Sequence, residues 1–384
     1  MIYLDNAATT PVDPRVLEAM LPYLIDQYGN ANSIHTLGRQ ATVAVEGARE
    51  TIAAVLNAEP AEIIFTSGGT ESDNSVIKGV LKATGKKHVI TSRVEHHAVL
   101  HPIQHARSEG VNATYLNVVP SGCVDAKQVA EAITEDTALV TLMHVNNEIG
   151  SINPMEEIAS ICRDRNVMFH SDTVQSVGKY PIDVRNIGLD FLSISAHKIY
   201  GPKGVGAMYV RNGSTWKPWM EGGSQERRRR GGTLNVPGII GMAKAIELAD
   251  AEMEQNRTHI EGLKNKLVFG LKDRFGSLVS FNGCMENGSY YIVNISFPLD
   301  DDRALDGEML LLNLDIEGIC VSNGSACTSG AIEPSHVLLA LGMVTPTAKS
   351  SLRMSIGKYN TPEEIEYTLE KLDAIVHRMM KSTV

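Results

Sequence analysis

Four short stretches of this 384-residue sequence set reactive side chains beside turns that can hold a ligand. In SISAHKIYGPKG (193–204) an apolar run delivers Ser195, His197 and Lys198 to its end, and a glycine-rich loop follows. A lysine so placed can attack a carbonyl carbon and form an imine once its surroundings favour the neutral amine. Ser195 and His197 can hydrogen-bond a phosphate beside it. In FTSGGTES (65–72), Gly68 and Gly69 turn the chain closely and Thr70 opens a helix, whose free N–H groups and dipole suit a phosphate. In FHSDTVQSVGK (169–179), Asp172 closes an apolar run, and a carboxylate there can keep a pyridine nitrogen protonated. In SNGSACTSG (322–330), small polar residues surround Cys327, as in a loop, whereas Cys320 in GICV and Cys162 in IASIC have apolar neighbours. An accessible thiol is partly thiolate at neutral pH and strongly nucleophilic.

Each stretch alone also fits an ordinary structural part: a capped helix start at Thr70, a solvated lysine at 198 or 203, an N-cap at Asp172. Taken together they describe a site that holds pyridoxal 5'-phosphate as a Schiff base on Lys198. Two other features point elsewhere. EHHAVLHPIQH spaces His97, His101 and His105 four apart, which on one helix face could bind a metal. No HExxH arrangement accompanies them and Pro102 is expected to interrupt the helix, so no metal site is expected. The run Arg227–Arg230 reads as a solvated or phosphate-facing loop.

The elements that must position these residues alternate. EIIFTS (62–67), HVITS (88–92), ALVTLMHV (138–145), VMFHSD (167–172) and DFLSISAH (190–197) read as strands separated by helical segments. That alternation predicts a mostly parallel sheet with helices on both faces, an α/β fold. The long, charged stretch 236–274 is helical in pattern and reads as a bridge out of this unit. Strand candidates at 290–297, 318–322 and 351–357, with helices near 304–313 and from Pro362, predict a smaller α+β domain. The expected boundaries are 16–250 for a large cofactor-binding domain, and 1–15 with 251–384 for the small one.

Composition narrows the class. With 35 Lys and Arg against 45 Asp and Glu, the net charge of −10 argues against general binding to nucleic acid or to an anionic membrane. The start MIYLDNAATT does not read as a targeting peptide, and no run of 18 apolar residues occurs. Five cysteines without a CxxC read as reduced thiols of a cytoplasmic protein.

Eleven motifs in order, YLDNAATTP, GNANSIHTLGRQA, FTSGGTES, EHHAV, MHVNNEIG, HSDTVQSVGK, SISAHKIYGPKG, GGSQERRRRGGTLN, SNGSACTSG, EPSHVLLALG and SLRMSIGKYNT, span nearly the whole chain. They resemble the NifS/IscS-like cysteine desulfurases of the class-V aminotransferase family. The resemblance implies the pyridoxal-phosphate-dependent transferase fold type I, aspartate-aminotransferase-like, in a homodimer with active sites near the subunit interface. It implies that Lys198 carries the cofactor, that His96 stacks on the pyridine ring and acts in proton transfer, and that Asp172 pairs with the ring nitrogen and Gln175 with the ring hydroxyl. Gly69, Thr70, Ser195 and His197 would hold the phosphate, with Thr233 reaching the phosphate of the partner subunit. Asn147 and Arg353 would hold the substrate, Arg353 at its carboxylate, and Cys327 would be the catalytic cysteine.

The implied reaction turns L-cysteine into L-alanine and a persulfide on Cys327, passed to an iron–sulfur scaffold or sulfur-carrier protein. A selenocysteine lyase or an aminotransferase of the same fold is the alternative enzyme, and a non-catalytic sulfur-carrier or scaffold partner the alternative outside catalysis. Two departures fall in one loop, where Arg228 replaces a common Gly and Gly231 a common Ser.

Overall fold

A computed structural model describes residues 1–300, 303–323 and 333–383. The apolar runs become strands of four or five residues, most of them buried along their whole length, as strands covered by helices on both faces must be. Apart from the short β1 (Ile2–Tyr3), the strands β2 (Ile63–Thr66), β3 (His88–Ser92), β4 (Asn112–Leu116), β5 (Thr137–Thr141), β6 (Met168–Asp172), β7 (Phe191–Ser195) and β8 (Gly206–Val210) form one sheet. Its order is β2-β8-β7-β6-β5-β3-β4. β8 runs antiparallel to both neighbours and every other pair is parallel. Successive side chains alternate between faces. Ile63 and Phe65 join the helices Thr36–Val55 and Val236–Ala251, while Ile64 joins the helices Gly69–Thr84 and His97–Ser108.

A second core forms around β9 (Ser280–Phe281), β10 (Ile292–Ser296), β11 (Ile319–Cys320) and β12 (Leu352–Ser355). β12, β10 and β9 make an antiparallel sheet, and β11 pairs in parallel with β1. Leu263, Leu267 and Leu271 of the helix Met253–Phe275 and Ile365, Leu369 and Leu372 of the helix Pro362–Thr383 fill this core together with Leu4.

One expectation is sharpened and one is corrected. The stretch 236–274 is two helices that break at Glu252, because Val236–Ala251 buries its face in the first core and Met253–Phe275 in the second. Glu252 is tied there to Arg15 and Lys358, both of which also pair with Asp13. Nor does Pro102 interrupt its helix, which runs unbroken from His97 to Ser108. Proline forfeits about 3 kcal/mol inside a helix. Burying Val99 and Ile103 completely returns about 1.5–3 kcal/mol each, enough to carry the turn. His97 and His101 stack with ring centroids 4.7 Å apart, and among the described residues no group of three metal-ligating side chains is arranged to hold an ion.

The arginine run contains the most unusual backbone of the described residues. Glu226, Arg227 and Arg228 have φ of 46°, 56° and 64°, three consecutive non-glycine residues in the left-handed region. That conformation costs roughly 1–2 kcal/mol per residue. It is held by Glu226, buried at 5% exposure, which accepts from Arg49 Nη1 and Nη2 at 2.8 and 2.7 Å and from the Phe65 N–H at 2.9 Å. Glu226→Gln should therefore lower unfolding stability by up to about 3–5 kcal/mol, since it leaves the buried Arg49 cation with only the exposed Glu46 as a counter-ion. Arg228→Gly should raise stability by up to about 1 kcal/mol by relieving the left-handed strain. Denaturant midpoints of the two variants check both signs.

Candidate active site

β2, β3, β5, β6 and β7 all end on one rim of the sheet, which is where open α/β sheets gather their ligands. β2 runs into the turn at Gly68, β3 into Glu95 and His96, and β5 into Met143 and Asn147. Asp172 is the last residue of β6, and a single 3-10 turn, Ala196–Lys198, follows Ser195 at the end of β7. Asp5, Ala7 and Ala8 come in from the amino-terminal segment, and Ser322 and Arg353 from the second core. Together they line a cavity of about 470 Å³, large enough for a cofactor and a small substrate.

Lys198 Nζ donates to the carbonyls of Ala7 and Ala8 at 2.7 and 2.6 Å. Burial, reinforced by Arg353, lowers its pKa to about 8, against the pull of Asp172 and Asp5. At pH 7 roughly a tenth of it is then neutral amine, against about one part in three thousand for an ordinary lysine. Asp172 is 8% exposed and lines the cavity while its Oδ1 accepts the Val174 N–H at 3.0 Å, so it caps the following turn and faces the pocket at once. Burial raises its pKa, and Lys198 opposes the shift. Asp73 lines the same cavity at 1% exposure, and its Oδ1 has no hydrogen-bond partner and stands 3.6 Å from His170 Nε2. Burial, then the charge of Asp172, raises the Asp73 pKa well above its ordinary value, so both its surroundings and its neighbour favour the neutral form of Asp73.

His96 caps the helix His97–Ser108 by accepting the Ala98 N–H on Nδ1 at 3.1 Å, which assigns its hydrogen to Nε2. Its side chain opens on the cavity, yet enough protein surrounds it that desolvation, helped by Lys198, lowers its pKa to about 4. It is neutral at pH 7. His197 meets Thr9 Oγ1 through Nδ1 at 3.1 Å and is likewise lowered to about 4 by burial. Gln175 donates from Nε2 to the Ala7 carbonyl at 2.8 Å, which leaves its second amide hydrogen for a ligand.

The glycine turn is shaped for close approach. A Cβ on Gly69 would stand 2.7 Å from Val174 Cγ2, and one on Gly206 would stand 2.6 Å from the Cα of Gly68. The helix beyond it is 16 residues long, and its first backbone bond is from the Ser72 N–H to Gly68 O, so the preceding amides have no partner in the helix. Arg230 donates to both oxygens of Glu71 at 2.7 and 3.0 Å, and Glu71 accepts the Ser67 N–H at 2.8 Å. One member of the arginine run thus buttresses the turn from behind.

The cavity brings together Lys198, His96, Gly69, Thr70, Asn147, Asp172, Gln175, Ser195, His197 and Arg353. Thr233 is exposed and does not line it. Cys327 lies outside the described residues. The sequence pattern does not single out Asp5 or Asp73. Asp73 follows Thr70 by three residues, so helical spacing could have placed it on the same face. Asp5 gives no local signal, because its partner Arg353 is 348 residues away.

A phosphorylated pyridine aldehyde fits this donor set: helix amides with Thr70, Ser195 and His197 for the phosphate, Asp172 for a ring nitrogen, a neutral imidazole for the ring face, and an amine of lowered pKa for the aldehyde. In protein stripped of any bound aldehyde, reductive trapping of a small aldehyde at Lys198 should rise about tenfold per pH unit and level off near pH 8. Exposed lysines should keep rising to about pH 10. Peptide mapping across the pH series reads the two classes separately, and a site that levels with the exposed lysines would refute the lowered pKa.

Residues 2–368 match the family of class-V aminotransferases. The protein called cysteine desulfurase IscS of Dictyoglomus turgidum is 47% identical over 380 residues, covering 98% of this chain and 95% of that one. Its namesake from Methanosarcina thermophila is 44% identical over 380 residues, covering 98% and 92%. Among solved structures, a NifS-like protein superimposes with a TM-score of 0.91 at 39% identity, covering 98% of this chain and 99% of that one. One described as SspA in complex with cysteine has a TM-score of 0.81 at 36% identity, covering 94% and 100%. The architecture is the fold type I of pyridoxal-phosphate-dependent transferases, and this chain belongs to the class-V aminotransferase family.

Proposed function

We propose that this chain is a cysteine desulfurase that uses pyridoxal 5'-phosphate to take sulfur from L-cysteine, releasing L-alanine and leaving a persulfide on Cys327. One observation carries the reading: an amine of lowered pKa, a buried carboxylate and a guanidinium share one cavity, in a chain 47% identical to a protein named for that activity.

Thr70, Gly69, Ser195 and His197 would hold the phosphate, Asp172 the ring nitrogen, Gln175 the ring hydroxyl and His96 the ring face, with Asn147 beside them. When bound, the cofactor supplies an aldehyde for amines and a ring that withdraws electrons from the substrate α-carbon. Asp172, as a carboxylate facing the cavity, would keep a proton on the ring nitrogen. Arg353 takes the L-cysteine carboxylate with its planar fork. Lys198, as free amine, accepts the α-proton at Nζ, and Ala7 and Ala8 hold that nitrogen by their carbonyls. His96 can donate a proton from Nε2. The Cys327 thiolate attacks the substrate sulfur: an S–S bond forms, the C–S bond breaks, and its electron pair stays with the carbon fragment, which is protonated to give L-alanine.

A homodimer is supported by apolar side chains left bare on neighbouring elements, with Leu24 54%, Ile25 66%, Tyr28 71%, Ile34 90% and Val43 73% exposed. In that assembly Thr233 would serve the partner's phosphate. No helix among the described residues is long and apolar enough to cross a membrane. Cys123, Cys162, Cys284 and Cys320 are free thiols, which supports a reducing, cytoplasmic setting. There the enzyme would hand its sulfur to an iron–sulfur scaffold or a sulfur carrier.

Purified protein should be yellow and release one L-alanine per sulfur atom delivered from L-cysteine. Cys327→Ser should keep the colour and lose desulfuration by at least about a hundredfold, whereas Lys198→Ala should lose the visible absorbance itself. Full turnover by the serine variant would refute the persulfide route, and a keto-acid product in place of alanine would indicate an aminotransferase.

A further inference from the structure

Arg353 already has a carboxylate in its fork. Its Nη2 donates to Asp5 Oδ1 at 2.8 Å and its Nη1 to the Asn147 carbonyl at 2.9 Å, while Nε is buried without a partner. Asp5 Oδ1 also accepts from Ser322 Oγ at 3.1 Å. Arg353 is 4% exposed, and both members of the pair line the cavity beside Lys198. The guanidinium is buried and aimed by the Asn147 carbonyl, so what Asp5 adds above all is charge. A guanidinium so desolvated would be costly to leave unpaired, and Asp5 is the counter-ion that removes that cost. An arriving carboxylate therefore meets a cation whose charge is already matched, and gains less by binding.

We propose that Asp5 is a resident counter-ion that sets the affinity of Arg353 for amino-acid carboxylates, keeping L-cysteine and L-alanine loosely held. The inference rests on the reading of Arg353 as the substrate-carboxylate site. Loose holding suits turnover, because tighter binding of substrate and transition state alike lowers KM without raising kcat and retains the product. The same pair balances the field on Lys198, where Arg353 pushes the amine towards neutrality and Asp5 pushes it back.

Asp5→Asn is nearly isosteric, keeps an oxygen for Nη2 and Ser322, and removes only the charge. In the holoenzyme, L-alanine binding followed by the cofactor absorbance should tighten about tenfold, with a parallel fall in KM for L-cysteine and no rise in kcat. The thermal midpoint should drop without ligand and be restored by saturating L-alanine. Asp5→Glu, which keeps the charge, should retain the wild-type Kd within about threefold. Unchanged or weaker L-alanine binding in Asp5→Asn overturns the proposal, since loss of a merely structural contact weakens a site. Equal tightening in Asp5→Glu overturns it too. Arg353→Gln separates this from the reading beneath it. If that variant still binds L-alanine at the wild-type Kd, the carboxylate site itself is wrong. If it loses L-alanine while Asp5→Asn fails to tighten, only the role of Asp5 falls.

Discussion

Parallel strands cannot be joined by hairpins; each must be followed by a crossover, so every strand enters the sheet at one rim and leaves at the other. In this chain that constraint collects the residues after β2, β3, β5, β6 and β7 along one rim, so that Gly69 and Lys198, far apart in the sequence, line the same cavity. Because helices cover both faces of the sheet, the deepest groups of the rim, such as Asp73 and Asp172, are also buried. Ionisable groups gathered there lose water, and the ones that keep a charge must find an opposite charge or a hydrogen bond. Glu95 shows the rule. It is fully buried, accepts from Ser92 Oγ at 2.7 Å and the Met143 N–H at 2.9 Å, and has its pKa raised to about 8 by burial. As a neutral acid it ties the end of β3 to the end of β5 without adding to the charge of the site.

The second unit completes what the sheet rim begins. The segment Asp5–Thr10 runs between the two cores, with Asn6 donating to Ser355 O at 2.9 Å and Thr10 Oγ1 to His197 O at 3.0 Å. The Ala7 carbonyl accepts from both Lys198 and Gln175, so one peptide of this segment orients two side chains of the large sheet. Arg353 reaches the same cavity from β12. The ion network of Asp13, Arg15, Glu252 and Lys358 sits where the helix breaks between the cores, so the junction is stapled by charge as well as by apolar contact.

What can be read from the residues follows from how local each signal is. Apolar runs such as HVITS and FLSIS declare buried strands without any knowledge of their neighbours, and the glycines at 68 and 69 declare their turn. β4 makes no such declaration, because as the last strand of the sheet it is only partly buried and NATYL carries no continuous apolar run. The helix through Pro102 runs against its local signal, since the burial that outweighs the proline comes from distant strands. The lowered pKa of Lys198 and the raised pKa of Asp73 are products of desolvation, which no local pattern encodes. Cys327 is the opposite case: its small polar neighbours point to an accessible thiol from the sequence alone, and its position lies outside the described residues.

The cavity and the thiol divide the chemistry between them. On the proposed function, Lys198, Asp172 and the phosphate turn would prepare any amino acid for loss of its α-proton, and Arg353 with Asp5 would ask only for a carboxylate. None of these groups distinguishes a sulfur atom from any other substituent on the β-carbon. Selecting sulfur requires a soft nucleophile that attacks it directly, and a thiolate does so while an alcohol or amine does not. The sheet rim thus accounts for where the electrons of the broken bond can go, and the cysteine for which bond is broken. The two can vary independently, which is why, on the proposed function, a site assembled on this rim leaves the choice of reaction to the thiol.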